Sequence, residues 1–268
     1  MPKFEASSLL LPRNLLPFLC LAAAALPAAL RAADAQAAYR AGDFSAAAQA
    51  WGSSVSSDPL DWAARHNLSL ALAQQDRWGE SAAQASSAFV QNPSDPSVRR
   101  QLALSCDRAG FVPEPVESLL QQGPLEALAK LDSPGGWQRK GAAAAAAAAA
   151  CIGLLLAMAY GFAARRWALP CASAALALSL LAWAACLAAH RAYGIAADDR
   201  AVVVWRSGTL RSVPTEADVS QKTTPLAAGS AAVADKAFLG WVRLSFPNGE
   251  TGWVPRTELV YLWRSGQR

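Results

Sequence analysis

Two stretches without a charged side chain, 142–164 and 167–189, constrain this chain more than any other feature. Each supplies the roughly 20 residues that an α-helix needs to cross a hydrocarbon core. A backbone in lipid must satisfy its own hydrogen bonds, so the pattern predicts two transmembrane helices, 142–164 and 167–189. Only Arg165 and Arg166 lie between them. Two guanidinium groups in so short a turn, 165–166, place it in the cytoplasm. Pro170 falls in the first turn of the second span, where its missing N–H is no loss. The run 142–150 is all alanine, a weak partner for lipid but a strong helix former that permits close packing. Composition agrees: the 268-residue chain is 53% apolar and 16% charged, where a soluble domain carries about 25% charged residues.

At the N-terminus, Lys3 and Arg13 precede the apolar run 15–26, and small residues follow over 28–35. This is the pattern of a secretory signal peptide, 1–33, with cleavage near Ala32 or Ala35; an uncleaved anchor helix is the alternative. Leu19 before Cys20 is too large for a lipoprotein signal. A signal sends the following residues outward, and an even number of spans then puts both flanking regions on the periplasmic side of a bacterial inner membrane. Arg139-Lys140 and His190-Arg191 weaken the charge bias, so the orientation rests mainly on the signal.

The net charge is +4, with 24 basic and 20 acidic residues spread along the chain. That lacks the clustered basic face of a nucleic-acid binder. The five cysteines, Cys20, Cys106, Cys151, Cys171 and Cys186, form no CxxC pair, and four lie in apolar segments as small hydrophobes. His66 and His190 are the only histidines. No catalytic residue, metal ligand set or cofactor loop is predicted, and the chain is expected to be non-enzymatic, with no cofactor.

Between signal and spans the residues recur with a period of 34. Gly42, Asp76 and Gly110 correspond, as do Phe44, Trp78 and Val112; Ala47 recurs as Ser81, Trp51 as Ala85, Ser54 as Ala88, and Asp58-Pro59 as Asn92-Pro93. A small turn residue, an aromatic two positions later, small residues at helix crossings and a closing proline resemble the tetratricopeptide repeat. The resemblance is good for two repeats. In a third, Val98, Leu102, Ala103 and Cys106 keep helical spacing, but Pro113 and Pro115 displace the second helix to 117–131, where Leu119, Leu120, Leu125, Leu128 and Leu131 would cap the stack. The domain spans 34–132, and a Ser133-Pro134-Gly135-Gly136 break opens a linker, 133–141, with Trp137 as an interfacial anchor. In this register the first helices line a concave groove with Gln36, Tyr39, Arg40, His66, Asn67, Leu70, Gln74, Arg100, Asp107 and Arg108. The arginines and amides suit an acidic segment or a C-terminal carboxylate; the alternative is a solvated face.

Beyond Arg200 the apolar period changes to alternation, with strands expected at 201–205, 231–233, 240–246 and 251–254. Asn248-Gly249 signals a two-residue hairpin in which both positions accept positive φ. The run through Leu210-Arg211, Gly240-Trp241-Val242, Asn248-Gly249 and Gly252-Trp253-Val254 resembles the bacterial Src-homology-3-like (SH3-like) domain, a small barrel over 198–264. Trp205, Trp241, Trp253 and Tyr261 form a candidate barrel groove, while Trp241 and Trp253 also suit the core of so small a barrel. Trp263 and Tyr261 are alternatively interfacial.

The expected fold class is thus a multidomain membrane protein: an all-α tetratricopeptide solenoid, a two-helix transmembrane hairpin and a small all-β SH3-like barrel. That order resembles the Bat family of aerotolerance proteins, BatE type. The resemblance implies a membrane scaffold with protein partners, among them von Willebrand factor A domain membrane proteins and a MoxR-type ATPase. A cell-wall-binding or envelope-sensing protein, meeting peptidoglycan through the barrel, is the alternative.

Overall fold

The computed structural model describes residues 33–121, 123–161, 167–216 and 221–263. The expected signal peptide, up to its last residue, and the Arg165-Arg166 turn lie outside the described residues. The described residues begin with helix α1 (33–40), followed by α2 (Phe44–Ser57), α3 (Trp62–Ala73), α4 (Trp78–Gln91) and α5 (Pro96–Ala109). Consecutive helices pack on one another: α2 on α3, α3 on α4, α4 on α5. The 34-residue recurrence has a backbone cause. Gly42, Asp76 and Gly110 all have positive φ, +82°, +57° and +75°, the conformation that stops one helix and reverses the chain into the next. Asp61 and Asp95, also 34 apart, cap the starts of α3 and α5 with their carboxylates on backbone N–H groups.

The third unit differs from expectation. Pro113 and Pro115 start the next helix instead of displacing it: α6 runs Glu114–Leu120 with Pro115 in its first turn, where a proline is tolerated. A second short helix, α7 (Pro124–Ala129), follows. Of the five leucines expected to cap the stack, Leu119 is buried and Leu128 partly so, while Leu120, Leu125 and Leu131 are exposed. Nor is 133–141 a linker. Ser133 accepts a bond from Gly136 N–H and Pro134 occupies the first turn, so α8 (Pro134–Ala159) starts eight residues before the charge-free run. Trp137 is buried and not an interfacial anchor; its Nε1 donates to Ala129 O at 2.9 Å.

α8 and α9 (Ala168–Arg191) are both long and apolar enough to cross a membrane. They pack closely along each other; a Cβ on Gly141 would sit 3.4 Å from Cys186 Cβ. Small residues permit that approach.

After a 3₁₀ turn (Gly194–Ala197) comes an antiparallel β-sheet domain. Its strands are β1 (Ala201–Val204), β2 (Gly208–Arg211), β3 (Thr223–Leu226), β4 (Ala231–Phe238), β5 (Trp241–Ser245), β6 (Thr251–Pro255) and β7 (Leu259–Tyr261). They form a seven-stranded sheet in the order β3-β2-β6-β5-β4-β1-β7. β1 is buried on both faces. Val202 and Val204 join Leu210, Val242, Leu244 and Val254 inside the sheet domain; Ala201 and Val203 join a core that includes Phe89, Leu102, Leu119 and Tyr193. That second core runs without interruption through α4 to α9, β1 and β7. Burying a Leu or Phe side chain contributes about 1.5–3 kcal/mol, so the helices and the sheet stabilise each other.

Polar groups fix this junction. Ser87 Oγ and Gln91 Nε2 donate to Leu262 O at 2.8 and 2.7 Å. Glu114 N–H donates to Gly229 O at 2.9 Å, and its carboxylate accepts from Ala231 N at 2.9 Å. Two glycines permit the approach. A Cβ on Gly79 would lie 2.5 Å from Trp205 O, and one on Gly229 would lie 2.8 Å from the Phe111 ring.

Candidate interaction surfaces

The residues expected to line the helical groove divide into three groups. Gln36 and Arg40 on α1, Gln74 at the end of α3, and Arg100 and Asp107 on α5 are exposed; His66, Asn67 and Leu70 on α3 are half-buried. Tyr39 has turned inward, its ring 5.2 Å from Phe44 and 5.6 Å from Trp51, where it holds α1 on α2. Arg108 is engaged at the turn end of the stack, its guanidinium 5.5 Å from the Trp78 ring. Arg40, His66, Asn67 and Arg100 therefore keep polar groups at the surface. Burial pushes the His66 imidazole below its ordinary range, with Asp95 acting the other way, and His66 Nδ1 is buried without a partner.

Arg65, beside His66, did not stand out in the sequence, yet it is only 2% exposed. Its Nε donates to Pro59 O at 2.9 Å and its Nη1 reaches Gln84 Oε1 at 3.3 Å. Burial pushes its guanidinium down to about 10, against the opposing pull of Asp58 and Asp61. The available signal was spacing: Arg65 stands three residues from Trp62 and from Leu68, on the apolar side of α3. A buried hydroxyl pair, Ser81 and Ser105 at 2.8 Å, links α4 to α5, and Ser81 also donates to Ser69 O at 2.8 Å.

The four aromatics of the expected barrel groove do not converge. Trp205 is held at the junction over Gly79, its Nε1 donating to Thr257 O at 2.8 Å and Arg206 lying over its ring. Tyr261 packs against the inner core, and burial pushes its phenol up. Trp263 is fixed by Nε1 to Ala196 O at 2.7 Å. Trp241 and Trp253 are not core residues. Strand alternation turns Val242, Leu244, Gly252 and Val254 inward, leaving both rings half-exposed on the outer face. There Arg243 pairs with Trp253, Arg211 pairs with it from the other side, and Arg211 lies 5.7 Å over the Trp241 ring.

The hairpin turns also differ from the sequence expectation. At Asn248-Gly249 only Gly249 has positive φ, +84°. Gly249 N–H donates to Phe246 O and Phe246 N–H to Glu250 O, so the connection is a three-residue loop closed by a left-handed glycine. The two-residue turn with positive φ at both positions is Leu239-Gly240, at +44° and +82°.

A cleft of about 400 Å³ opens where the helices, the start of α8 and the sheet meet, lined by Asp58, Leu60, Pro134, Gln138, Asp199 and Trp263. Among the described residues no group of three or more His, Cys, Asp or Glu side chains could hold a metal ion. Cys106 is buried, which pushes its thiol up to about 11 and away from reactive thiolate character. Comparisons with known protein families, with the curated proteins and with the solved structures find no match.

Proposed function

We propose that this chain is a non-enzymatic, membrane-anchored scaffold whose helical repeats hold a segment of a protein partner. The observation that carries the reading is the continuous core from α4 to β7, which joins the repeats, the roots of α8 and α9 and the sheet. α1 to α3 share a second core of their own, and α3 packs on α4, so the first helices α1, α3 and α5 are held as one fixed surface, and fixed surfaces bind with little ordering cost. In this reading α8 and α9 cross the bacterial inner membrane, the helical stack is a tetratricopeptide-type solenoid, the sheet is an SH3-like barrel, and both soluble regions face the periplasm. Arg40, Asn67 and Arg100 recognise an acidic or C-terminal carboxylate segment. The partners are those implied by the Bat-type resemblance, von Willebrand factor A domain membrane proteins working with a MoxR-type ATPase. The peptidoglycan alternative carries less weight, because Trp205 and Tyr261 are committed elsewhere and only Trp241 and Trp253 remain for a groove.

Exposed ion pairs contribute only about 0–1 kcal/mol each, so the test combines Arg40→Ala, Asn67→Ala and Arg100→Ala in the full chain. Partners should co-purify from detergent-solubilised membranes with the wild type and be lost from the triple variant, whose circular dichroism stays unchanged. Equal recovery refutes the groove.

A further inference from the structure

The tip of the β4–β5 hairpin is built against the usual rules for a soluble turn. Leu239 is 83% exposed and Phe238 53% exposed, and Trp241 stands half-exposed beside them. Leu239 also has φ +44°, a region that disfavours side chains with a Cβ and where Asn, Asp or Gly is the rule in such turns. A leucine that is both strained and out in solvent gains nothing from the rest of this chain. The other hairpin of the same meander, Pro247-Asn248-Gly249, has conventional polar turn chemistry.

The register locates the apolar tip. β1 begins at Ala201, just after the 3₁₀ turn that follows α9, and Val233 of β4 pairs with Ala201. Trp263 bonds to Ala196 at this same end, and the adjoining cleft is lined by Pro134 and Gln138 of α8. β4 then runs on past Ala201 through a bulge at Ala234/Lys236 to Phe238. Five further residues extend it by about 15 Å. On its way to the tip β4 thus passes the end of β1 that follows α9, where Ala234 N–H donates to Arg200 O. Lys236, Arg243 and Arg211 lie across the strands behind it, with Asp235 3.9 Å from Arg243, and Arg256 N–H donates to Gly240 O at 2.8 Å.

We propose that the Phe238-Leu239-Gly240-Trp241 tip dips into the interface of the bilayer that α8 and α9 cross. Phe238, Leu239 and Trp241 enter the headgroup and acyl boundary, and the basic residues behind them meet anionic headgroups. The sheet is thereby tethered to the membrane at a second point. This rests on the reading that α8 and α9 span.

The test uses the full chain with its native cysteines replaced by alanine, in vesicles of phosphatidylethanolamine and phosphatidylglycerol. One nitroxide is placed through Leu239→Cys, Asn248→Cys or Leu178→Cys, the last an exposed site within α9. Collision with oxygen is compared with collision with a water-soluble nickel chelate. The expected ratio is deep for 178, several-fold above the aqueous value for 239, and aqueous for 248. An aqueous 239 beside a deep 178 overturns the tip insertion and leaves the spans standing. An aqueous 178 overturns both. Shielding of 239 from oxygen and chelate alike, or only after peptidoglycan is added, also overturns it, in favour of a protein or cell-wall contact.

Discussion

α2 and α4 occupy the same place in the 34-residue register and meet opposite surroundings. The outward positions of α2 are Ser45, Gln49, Ser53 and Ser56, all exposed; their counterparts on α4 are Gly79, Ala83, Ser87 and Val90, half-buried at Gly79 and buried at the rest. Both helices turn their inner faces to the neighbouring first helices, but α4 also seats the sheet on its outer one. The period reports the helix and its turn, whereas the departure from polarity on the outer face reports what docks there. Gly79, Ala83 and Val90 on a face that should be polar were the readable sign.

The sharpest way to break this comparison is to put one methyl group on a glycine of each helix. Inside a helix, Gly→Ala stabilises by about 0.5–1 kcal/mol when space allows. Gly52 in α2 has nothing within 4 Å of a new Cβ, so Gly52→Ala should raise the thermal midpoint. At Gly79 the same Cβ would meet Trp205 O at 2.5 Å, a backbone atom that moves only with the sheet. Overpacking of this kind costs about 1–3 kcal/mol, so Gly79→Ala should lower the midpoint. Equal shifts of the same sign would mean that the sheet is not seated on α4.

The two hairpin turns give the next largest contrast. A β-branched residue at Gly249, where φ is +84°, is strained by about 1–2 kcal/mol, and Gly249→Val should lower the midpoint accordingly. Leu239→Asn should act in the opposite direction in detergent, since Asn tolerates positive φ better than Leu. A midpoint unmoved by Gly249→Val would show that the turn adopts a different conformation in solution.

Much of the architecture was legible because it depends on local chemistry. The positive-φ turns at Gly42, Asp76 and Gly110, the apolar runs of α8 and α9, and the alternation of β5 and β6 each follow from residues close in sequence. What escaped depends on partners far along the chain. Trp137 has the look of an interfacial anchor until Ala129 O is found to accept its N–H. Pro113 and Pro115 have the look of breakers until the helix is seen to start at Glu114. Of the candidate groove, Arg40, Asn67 and Arg100 lie on α1, α3 and α5, but the register could not see that Tyr39 turns toward Trp51 or that Arg108 lies over Trp78. Trp241 and Trp253 suit either a groove or the core on size, and strand alternation, with Trp253 paired to Arg243 and Arg211, puts them on the outer face.

A smaller effect sharpens the contrast between the two outer faces. Ser87 donates to Leu262 O across the junction, while its counterpart Ser53 donates to Gln49 O within its own helix. Removing a buried hydrogen bond costs about 1 kcal/mol, and exposed surface changes stay within about 0.5 kcal/mol. Ser87→Ala should therefore lower the thermal midpoint more than Ser53→Ala does. Equal effects would mean that the Leu262 carbonyl draws no net stability from the serine, its bond from Gln91 being sufficient.

The first helices carry the same lesson on their own side, and there the difference can be read through pH. His66 on α3 and Arg100 on α5 are 34 residues apart, yet His66 is half-buried and Arg100 exposed. Burial holds the His66 pKa below its ordinary 6.5, with Asp95 only partly offsetting it. As the pH falls through 6.5, the unfolded chain takes up the proton before the folded one does, so stability drops as acid is added. The contribution is fully present above pH 6.5 and declines from there toward the folded-state pKa. Asp95 does not confuse the window, because its carboxylate is held below 3.8, chiefly by the Ser97 hydroxyl, and titrates only in stronger acid. His66→Gln keeps a polar side chain but cannot titrate. The loss of thermal midpoint between pH 7.5 and pH 5.5 should therefore be smaller in His66→Gln than in the wild type, whereas Arg100→Gln should leave the wild-type dependence unchanged. Identical pH dependence in all three proteins would show that the imidazole sits in a more solvated place than the half-buried face of α3.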